Sequence, residues 1–455
     1  MKVVILGAGY RSIKLAKHLA EEHADVTLID ENPNVSAKTM TLIDCLAVTG
    51  SGTDAECLKE AGIENAYAFI ALSGSDETNL ISCGIASSQF KVPVTIAAVA
   101  NISYARSGDY TDILGVTHIV NPDQEIAKHI YRSIDRGIYS DSICFDNSSL
   151  TLNTIHVEKK SQFAGKFVKN LRRTLPGDYI IAVLNRGSEV FVPSGDTQIE
   201  EGDTIGLVAT DESIENILAK LGKKKKKNGR IVIIGGTQVV DFLLHLMKTS
   251  FRKRTTVISK DKNFCEKISS KYSDVLVTNE NISNEGVFRQ ESLDGYNLLL
   301  SLTDNDELNF LVASFAKHIG VTNSIAMVNK KPDFAEMVDF LNIDSLVLSQ
   351  DVMVDSVMRY LQSPDVSNTH TVFDGKIEVF EYSITEGNKL CGKQLKDIDM
   401  KNRGLIAGSR KADGKTVIPG GTYLIETGDT LTVVARRSEL DFIRELLEMK
   451  TPGEK

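Results

Sequence analysis

The sequence has no C-x-x-C pair, no apolar run approaching the roughly 18 residues of a membrane helix, and no excess of positive charge. Its six cysteines, Cys45, Cys57, Cys83, Cys144, Cys265 and Cys391, lie far apart. Such spacing argues against zinc sites and redox dithiols, and reads as reduced thiols in the cytosol. A net charge of −9 excludes long-range attraction to nucleic acid as a default, and no nucleic-acid partner is expected. The first residues run straight into the strand pattern Val3-Val4-Ile5-Leu6 without a basic, then apolar, leader, so no targeting segment is expected. Any membrane association must come through a partner.

At 455 residues the chain is too long for one core, and three or four units are expected. An internal repeat organises them. Val3-Val4-Ile5-Leu6-Gly7 returns as Ile231-Val232-Ile233-Ile234-Gly235, and Val26-Thr27-Leu28-Ile29 as Thr255-Thr256-Val257-Ile258. Ser73-Gly74-Ser75-Asp76-Glu77 is echoed by Thr303-Asp304-Asn305-Asp306-Glu307, and Glu201-Gly202-Asp203-Thr204 by Thr427-Gly428-Asp429-Thr430. So many segments in register signify a duplication.

The first 130 or so residues of each copy alternate short β-rich runs with helical stretches, the pattern of βαβ units around a parallel sheet. In the first copy, strands are expected over 27–29, 68–72 and 95–99, and helices over 13–22 and 54–61. The rest of each copy reads as a small α+β appendage. It has an amphipathic helix over 167–175 and a hairpin turning at Asn185-Arg186-Gly187, or at Asp413-Gly414 in the second copy. The fold class is therefore α/β, with two tandem Rossmann-like, doubly wound parallel-sheet domains, each followed by a small α+β domain. The divisions are 1–136, 141–222, a basic linker at 223–228, 229–363 and 369–450. The run Lys223 to Lys227 reads as a solvated hinge, with contact to anionic head groups or nucleic acid as the alternative.

After the first strand comes Gly7-Ala8-Gly9-Tyr10-Arg11-Ser12, a G-x-G-x-x-S form of the dinucleotide fingerprint. Gly7 allows the tight turn, and Gly9 lets a pyrophosphate approach a helix N-terminus, where free N–H groups and the macrodipole favour anions. Ser12 stands where a third glycine would pack helix on strand. Asp30 closes the second strand about 20 residues on, placed to accept from ribose hydroxyls, and with Glu31 it would repel a 2′-phosphate. NAD or an adenine nucleotide is thus preferred over NADP. Gly50-Ser51-Gly52 and Ser73-Gly74 follow the third and fourth strands, at carboxyl ends where such sheets bind ligands. In the second copy Thr237 replaces Gly9, Val240 replaces Ser12, and Ser259-Lys260 replaces Asp30-Glu31, so that site reads as degenerate.

These segments, with Leu58-Lys59-Glu60-Ala61-Gly62 and Ser75-Asp76-Glu77-Thr78-Asn79, are similar to the TrkA family, the peripheral subunits of bacterial Trk potassium uptake systems. The resemblance covers essentially the whole chain, as two RCK units, each an N domain and a C domain. It implies a cytoplasmic regulator at the inner membrane face that binds NAD(H) or ATP/ADP. It also implies a homo-oligomer, a tetramer forming an RCK ring, beneath a membrane-embedded potassium-translocating subunit. Carried onto this sequence, the nucleotide site comprises Gly7, Ala8, Gly9, Tyr10, Arg11, Asp30, Ser73 and Gly74. The family usually has a phosphate-contacting arginine at position 98. Here stands Ala98, with Arg106 the closest replacement and Arg11 the main nearby cation; Met327 occupies that place in the second copy. The rival reading is an NAD-dependent oxidoreductase, which needs a proton-transfer residue at the nicotinamide. His156 and His370 are the available candidates, and each reads more readily as a strand or surface histidine.

Overall fold

The structure is a computed structural model. It describes all residues except 34–44, 102–103, 105–113, 137–141, 146–147, 160, 172–174, 176, 188, 221–228, 283–292, 331–340, 362–364, 374, 401 and 450–455. The chain forms two compact units. One joins residues 1–132 with 228–361, and the other joins 133–227 with 362–455.

The first unit contains two six-stranded parallel sheets of identical topology. In the first copy β1 (Lys2–Leu6), β2 (Asp25–Asp30), β3 (Leu46–Thr49), β4 (Ala68–Ala71), β5 (Val94–Ala98) and β6 (His118–Val120) take the order β3-β2-β1-β4-β5-β6. In the second, β12 (Ile231–Ile234), β13 (Thr255–Ser259), β14 (Leu276–Asn279), β15 (Leu298–Ser301), β16 (Asn323–Val328) and β17 (Ser345–Leu348) repeat it as β14-β13-β12-β15-β16-β17. The order reverses between β1 and β4, and again between β12 and β15, opening a crevice at the strands' carboxyl ends where such sheets take ligands. The central strands are mostly apolar because helices cover both faces, as parallel sheets require, with Thr95 and Ser301 among their few buried polar residues. The expected strands and the helices α1 (Tyr10–Glu21) and α2 (Ala55–Glu60) are present, with Asp54 capping α2 through its carboxylate.

The two copies of this unit interlock. Helix α9 (Ser349–Leu361), the second copy's last, carries Met353, Val354, Val357, Met358 and Leu361 on one face. All five are buried in the first copy's core with Val3, Ile5, Leu15 and Leu19. Each such side chain contributes roughly 1.5–3 kcal/mol on burial. Arg359 of α9 donates to Glu125 at 2.6 Å, Lys14 of α1 pairs with Asp351 at 3.3 Å, and Tyr360 stacks on His118 at 4.0 Å. Glu125 belongs to α4 (Pro122–Arg136) of the first copy.

The second unit contains two five-stranded sheets. One runs β10 (Glu189–Phe191), β9 (Tyr179–Arg186), β11 (Thr204–Thr210), β8 (Leu150–His156) and β7 (Ser142–Cys144). The other runs β18 (Val366–Val372), β19 (Ile377–Ser383), β22 (Thr430–Arg436), β20 (Gly404–Arg410) and β21 (Thr416–Val417). The sheets share an apolar core that includes Leu150, Leu152, Val208, Val379, Ala407 and Val434. Both expected hairpins are present. The helix expected over 167–175 begins as a 3-10 turn, Val168–Asn170, and Leu171 after it is helical; residues 172–174 and 223–228 lie outside the described residues. Helices α5 (Asp211–Lys220) and α10 (Leu440–Leu447) each follow the last strand of their sheet.

One buried charge secures the first of these sheets. Asp203, 1% exposed, accepts a forked pair from Arg186 at 2.8 Å and 2.8 Å, and the Glu200 amide at 2.7 Å. Burial works to raise the Asp203 carboxyl, but the Arg186 and Glu200 hydrogen bonds prevail and hold it below its ordinary value. A depressed carboxyl contributes stability above its unfolded-state pKa, roughly 4, and loses it as pH falls through the lower folded value. Arg186→Met should therefore cost about 2 kcal/mol at neutral pH, because it leaves a buried carboxylate unpaired. In acid unfolding monitored by circular dichroism, the gap between variant and wild type should close below pH 4. The second copy solves the same position differently: Asp429 accepts from the Tyr423 hydroxyl at 2.7 Å, and burial, with Asp429, pushes that phenol up to about 12.

Candidate functional site

The first copy's loop 7–12 leaves β1 at the crevice and enters α1. Gly7 has φ +93°, and a Cβ there would meet the Leu72 carbonyl oxygen at 3.0 Å and Ser73 Cα at 3.1 Å, so this position requires glycine on both counts. Gly9 differs. Its backbone is extended, φ −71° and ψ 172°, and a Cβ would meet nothing within 4 Å. Its missing side chain leaves the N-terminus of α1 open.

Asp30 turns back onto this loop. Oδ2 accepts the Ala8 amide at 2.7 Å and Oδ1 the Asn32 amide at 2.9 Å, fixing the carboxylate at the crevice with lone pairs to spare. Glu31 is exposed beside it, and Tyr10 is exposed at the start of α1. Ser12 is buried under the helix, consistent with a packing position. Gly50 donates its amide to the Asp30 carbonyl, and the Ser51 hydroxyl lies 3.0 Å from that of Thr53. Gly74 has open space around its Cβ position.

Two side chains that sequence reasoning gave no role hold the crevice in shape. Asn79, 1% exposed on α3 (Asp76–Ser88), accepts the Ser73 amide at 2.9 Å and the Ser73 hydroxyl at 2.6 Å. Its Nδ2 donates to the carbonyls of Ser73 and Ala98 at 3.1 Å and 2.8 Å. Asp76 accepts the amides of Ala100 and Asn101, both at 2.8 Å. Together they tie the loops after β4 and β5 to one helix. In the second copy Asn309 and Asp306 on α8 (Asp306–His318) make the same bonds, to Thr303, Met327, Asn329 and Lys330. Ala98 contributes this carbonyl, while its side chain lies in the core. Arg106 lies outside the described residues.

The second copy keeps the scaffold but differs at the positions of Gly9 and Asp30. Thr237 adopts Gly9's conformation, φ −84° and ψ 163°, and donates its hydroxyl to the Leu302 carbonyl at 3.0 Å. Ser259 stands in place of Asp30, with Asn279 donating to its carbonyl. A pocket of about 530 Å³ lies over this loop, lined by residues 236–239 at the start of α6 (Gln238–Leu246), by Asp304 and by Met327. Its remaining charged lining comes from the first copy: Arg11 and Asp123. The sequence assigned Arg11 to its own copy's phosphates. The structure places Arg11 among the residues that line this pocket, beside the second copy's loop.

Residues 3–122 and 231–349 match the TrkA-N domain family, and residues 154–222 and 379–448 the TrkA-C domain family. The chain belongs to the TrkA family. It is 26% identical to the Trk system potassium uptake protein TrkA of Halomonas elongata over 452 residues, covering 98% of each protein. Among solved structures it is similar to the RCK domain of GsuK, at 17% identity and a TM-score of 0.55, over 98% of this chain and 95% of that one. A GsuK channel solved bound to NAD gives 16% identity and a TM-score of 0.54 over 98% of this chain and 79% of that one. At such identities the likeness carries the fold. Two tandem TrkA-N and TrkA-C pairs thus account for the repeat.

Among the described residues, no helix is long and apolar enough to cross a membrane. His156, the first copy's candidate base for hydride chemistry, is exposed on β8 with its ring near Thr204, and His370 packs edge-on against Phe145.

Proposed function

We propose that this TrkA-family chain is the nucleotide-sensing regulatory subunit of a membrane potassium transporter, with one competent nucleotide site, in the first copy. The observation that carries the site is the pairing of an unobstructed Gly9 with Asp30 fixed on the Ala8 amide. A pyrophosphate at the N-terminus of α1 meets free N–H groups and the positive end of the helix dipole, while the Asp30 oxygens accept from ribose hydroxyls. Gly7, Ala8, Gly9, Tyr10, Asp30, Ser73 and Gly74 bound this ligand, with Glu31, Gly50 and Ser51 at its edge. Glu31 beside Asp30 favours NAD(H) or ADP/ATP over a 2′-phosphorylated dinucleotide.

The membrane partner is a Trk-type potassium-translocating subunit, which holds this chain at the inner face of the membrane. Self-assembly into a ring has support in apolar side chains left exposed at corresponding helices: Ile81 on α3, 50% exposed, and Leu311 and Phe315 on α8, 66% and 44%. Exposed apolar groups repeated in both copies suit contacts with further copies of the chain. Regulation requires only that nucleotide bind two arrangements of the assembly unequally, typically by 1–3 kcal/mol.

The test is potassium flux into vesicles carrying the membrane subunit, with purified regulator and NADH, NAD, ADP or ATP. Wild type should alter flux in a nucleotide-dependent manner. Asp30→Ala should fold, lose about 10-fold or more in nucleotide affinity and leave flux insensitive. Unchanged affinity in that variant would remove the site assignment.

A further inference from the structure

Arg11 occupies a position that neither copy's own chemistry explains. It is the second residue of α1, directly beyond the glycine loop, yet it lines the pocket over the second copy's loop with Asp123 and Asp304. Among the described residues it has no hydrogen-bond or ion-pair partner. Burial pushes it below its ordinary value and Asp123 opposes this. Burial likewise raises Asp123, with Arg11 lowering it and Asp304 raising it further, so the three groups sense one another across the two copies. The second copy presents Val239 where the first has Arg11, so the arrangement is not reciprocal.

We infer that Arg11 is a relay between the two copies, for which a phosphate at the first copy's loop and the acidic pair Asp123 and Asp304 compete. This rests on the nucleotide reading of the first copy given above. A nucleotide phosphate at the N-terminus of α1 lies within reach of a long side chain in that helix's first turn, and a charge-assisted bond to phosphate is stronger than the unbonded attraction to the two carboxylates. Nucleotide in the first copy therefore draws Arg11 out of the second copy's pocket, and the acids there hold it back. Linkage makes the coupling reciprocal: weakening the hold on Arg11 tightens nucleotide binding at the first loop.

Calorimetric titration with NADH and with ADP tests this. Asp304 is exposed and belongs to the second copy, so Asp304→Asn leaves the fold and the first loop intact. It should tighten binding about 5-fold, Arg11→Met should weaken it about 10-fold, and Asp304→Asn should give no gain once Arg11 is Met. A gain that persists in the double variant would mark a general field effect and overturn the relay, as would unchanged affinity in Asp304→Asn. Asp123→Asn, checked for folding by circular dichroism, should repeat the Asp304→Asn result. If wild type binds neither ligand, it is the nucleotide reading itself that fails.

Discussion

Gly9→Thr is expected to lower nucleotide affinity by about 100-fold or more while changing stability by less than about 0.5 kcal/mol. The two halves of this expectation have separate causes. Gly9 sits at φ −71° and ψ 172°, a conformation open to any residue, and its Cβ position is clear of protein for 4 Å. The second copy provides the control, since Thr237 occupies the matching place with the same backbone and an intact helix behind it. What the side chain obstructs is the approach of a pyrophosphate to the N–H groups of α1. Gly7→Ala should behave in the opposite sense, destabilising the domain through its positive φ and its contact with Leu72. Isothermal titration beside urea unfolding of the same preparations separates the two effects.

Asn79→Ala is expected to destabilise the first N domain by about 3 kcal/mol, as loss of a buried group that makes four hydrogen bonds. It frees the Ser73 amide and the Ala98 carbonyl at the floor of the crevice, so nucleotide affinity should fall as well, by about 10-fold. Asn309→Ala removes the matching bonds in the second copy and should destabilise to a similar degree, yet leave nucleotide affinity unchanged. Urea midpoints and titrations on the pair of variants distinguish a scaffold role common to both copies from a ligand role confined to one.

Much of this architecture is local and therefore legible in the sequence. Strand runs such as Val3-Val4-Ile5-Leu6, the glycine loop and the acid at Asp30 each announce their structure within a few residues. The repeat then transfers every assignment to the second copy. The losses at Thr237 and Ser259 are equally local. What the sequence conceals depends on contacts between distant segments. The burial of Met353, Val357 and Leu361 in the first copy's core follows from how the copies interlock, which no periodicity reveals. The place of Arg11 in a pocket shared with the second copy follows from the same interlocking and has no signature in the spacing. Asn79 stands in a motif common to both copies, but its bond to the Ala98 carbonyl exists only once β5 lies beside β4. In the C domains, the apolar spacing over 167–175 suggested a helix. The described part opens with a 3-10 turn, Val168–Asn170, and Leu171 and Leu175 beyond it reach the core.

The central claim is an asymmetric pair, two copies of one scaffold with a single competent nucleotide site. The binding stoichiometry measured by calorimetry with NADH or ADP tests it most directly. One tight site per chain is predicted in wild type, abolished by Gly9→Thr and untouched by Thr237→Gly. Two equivalent sites per chain, or one site that survives Gly9→Thr, would contradict it.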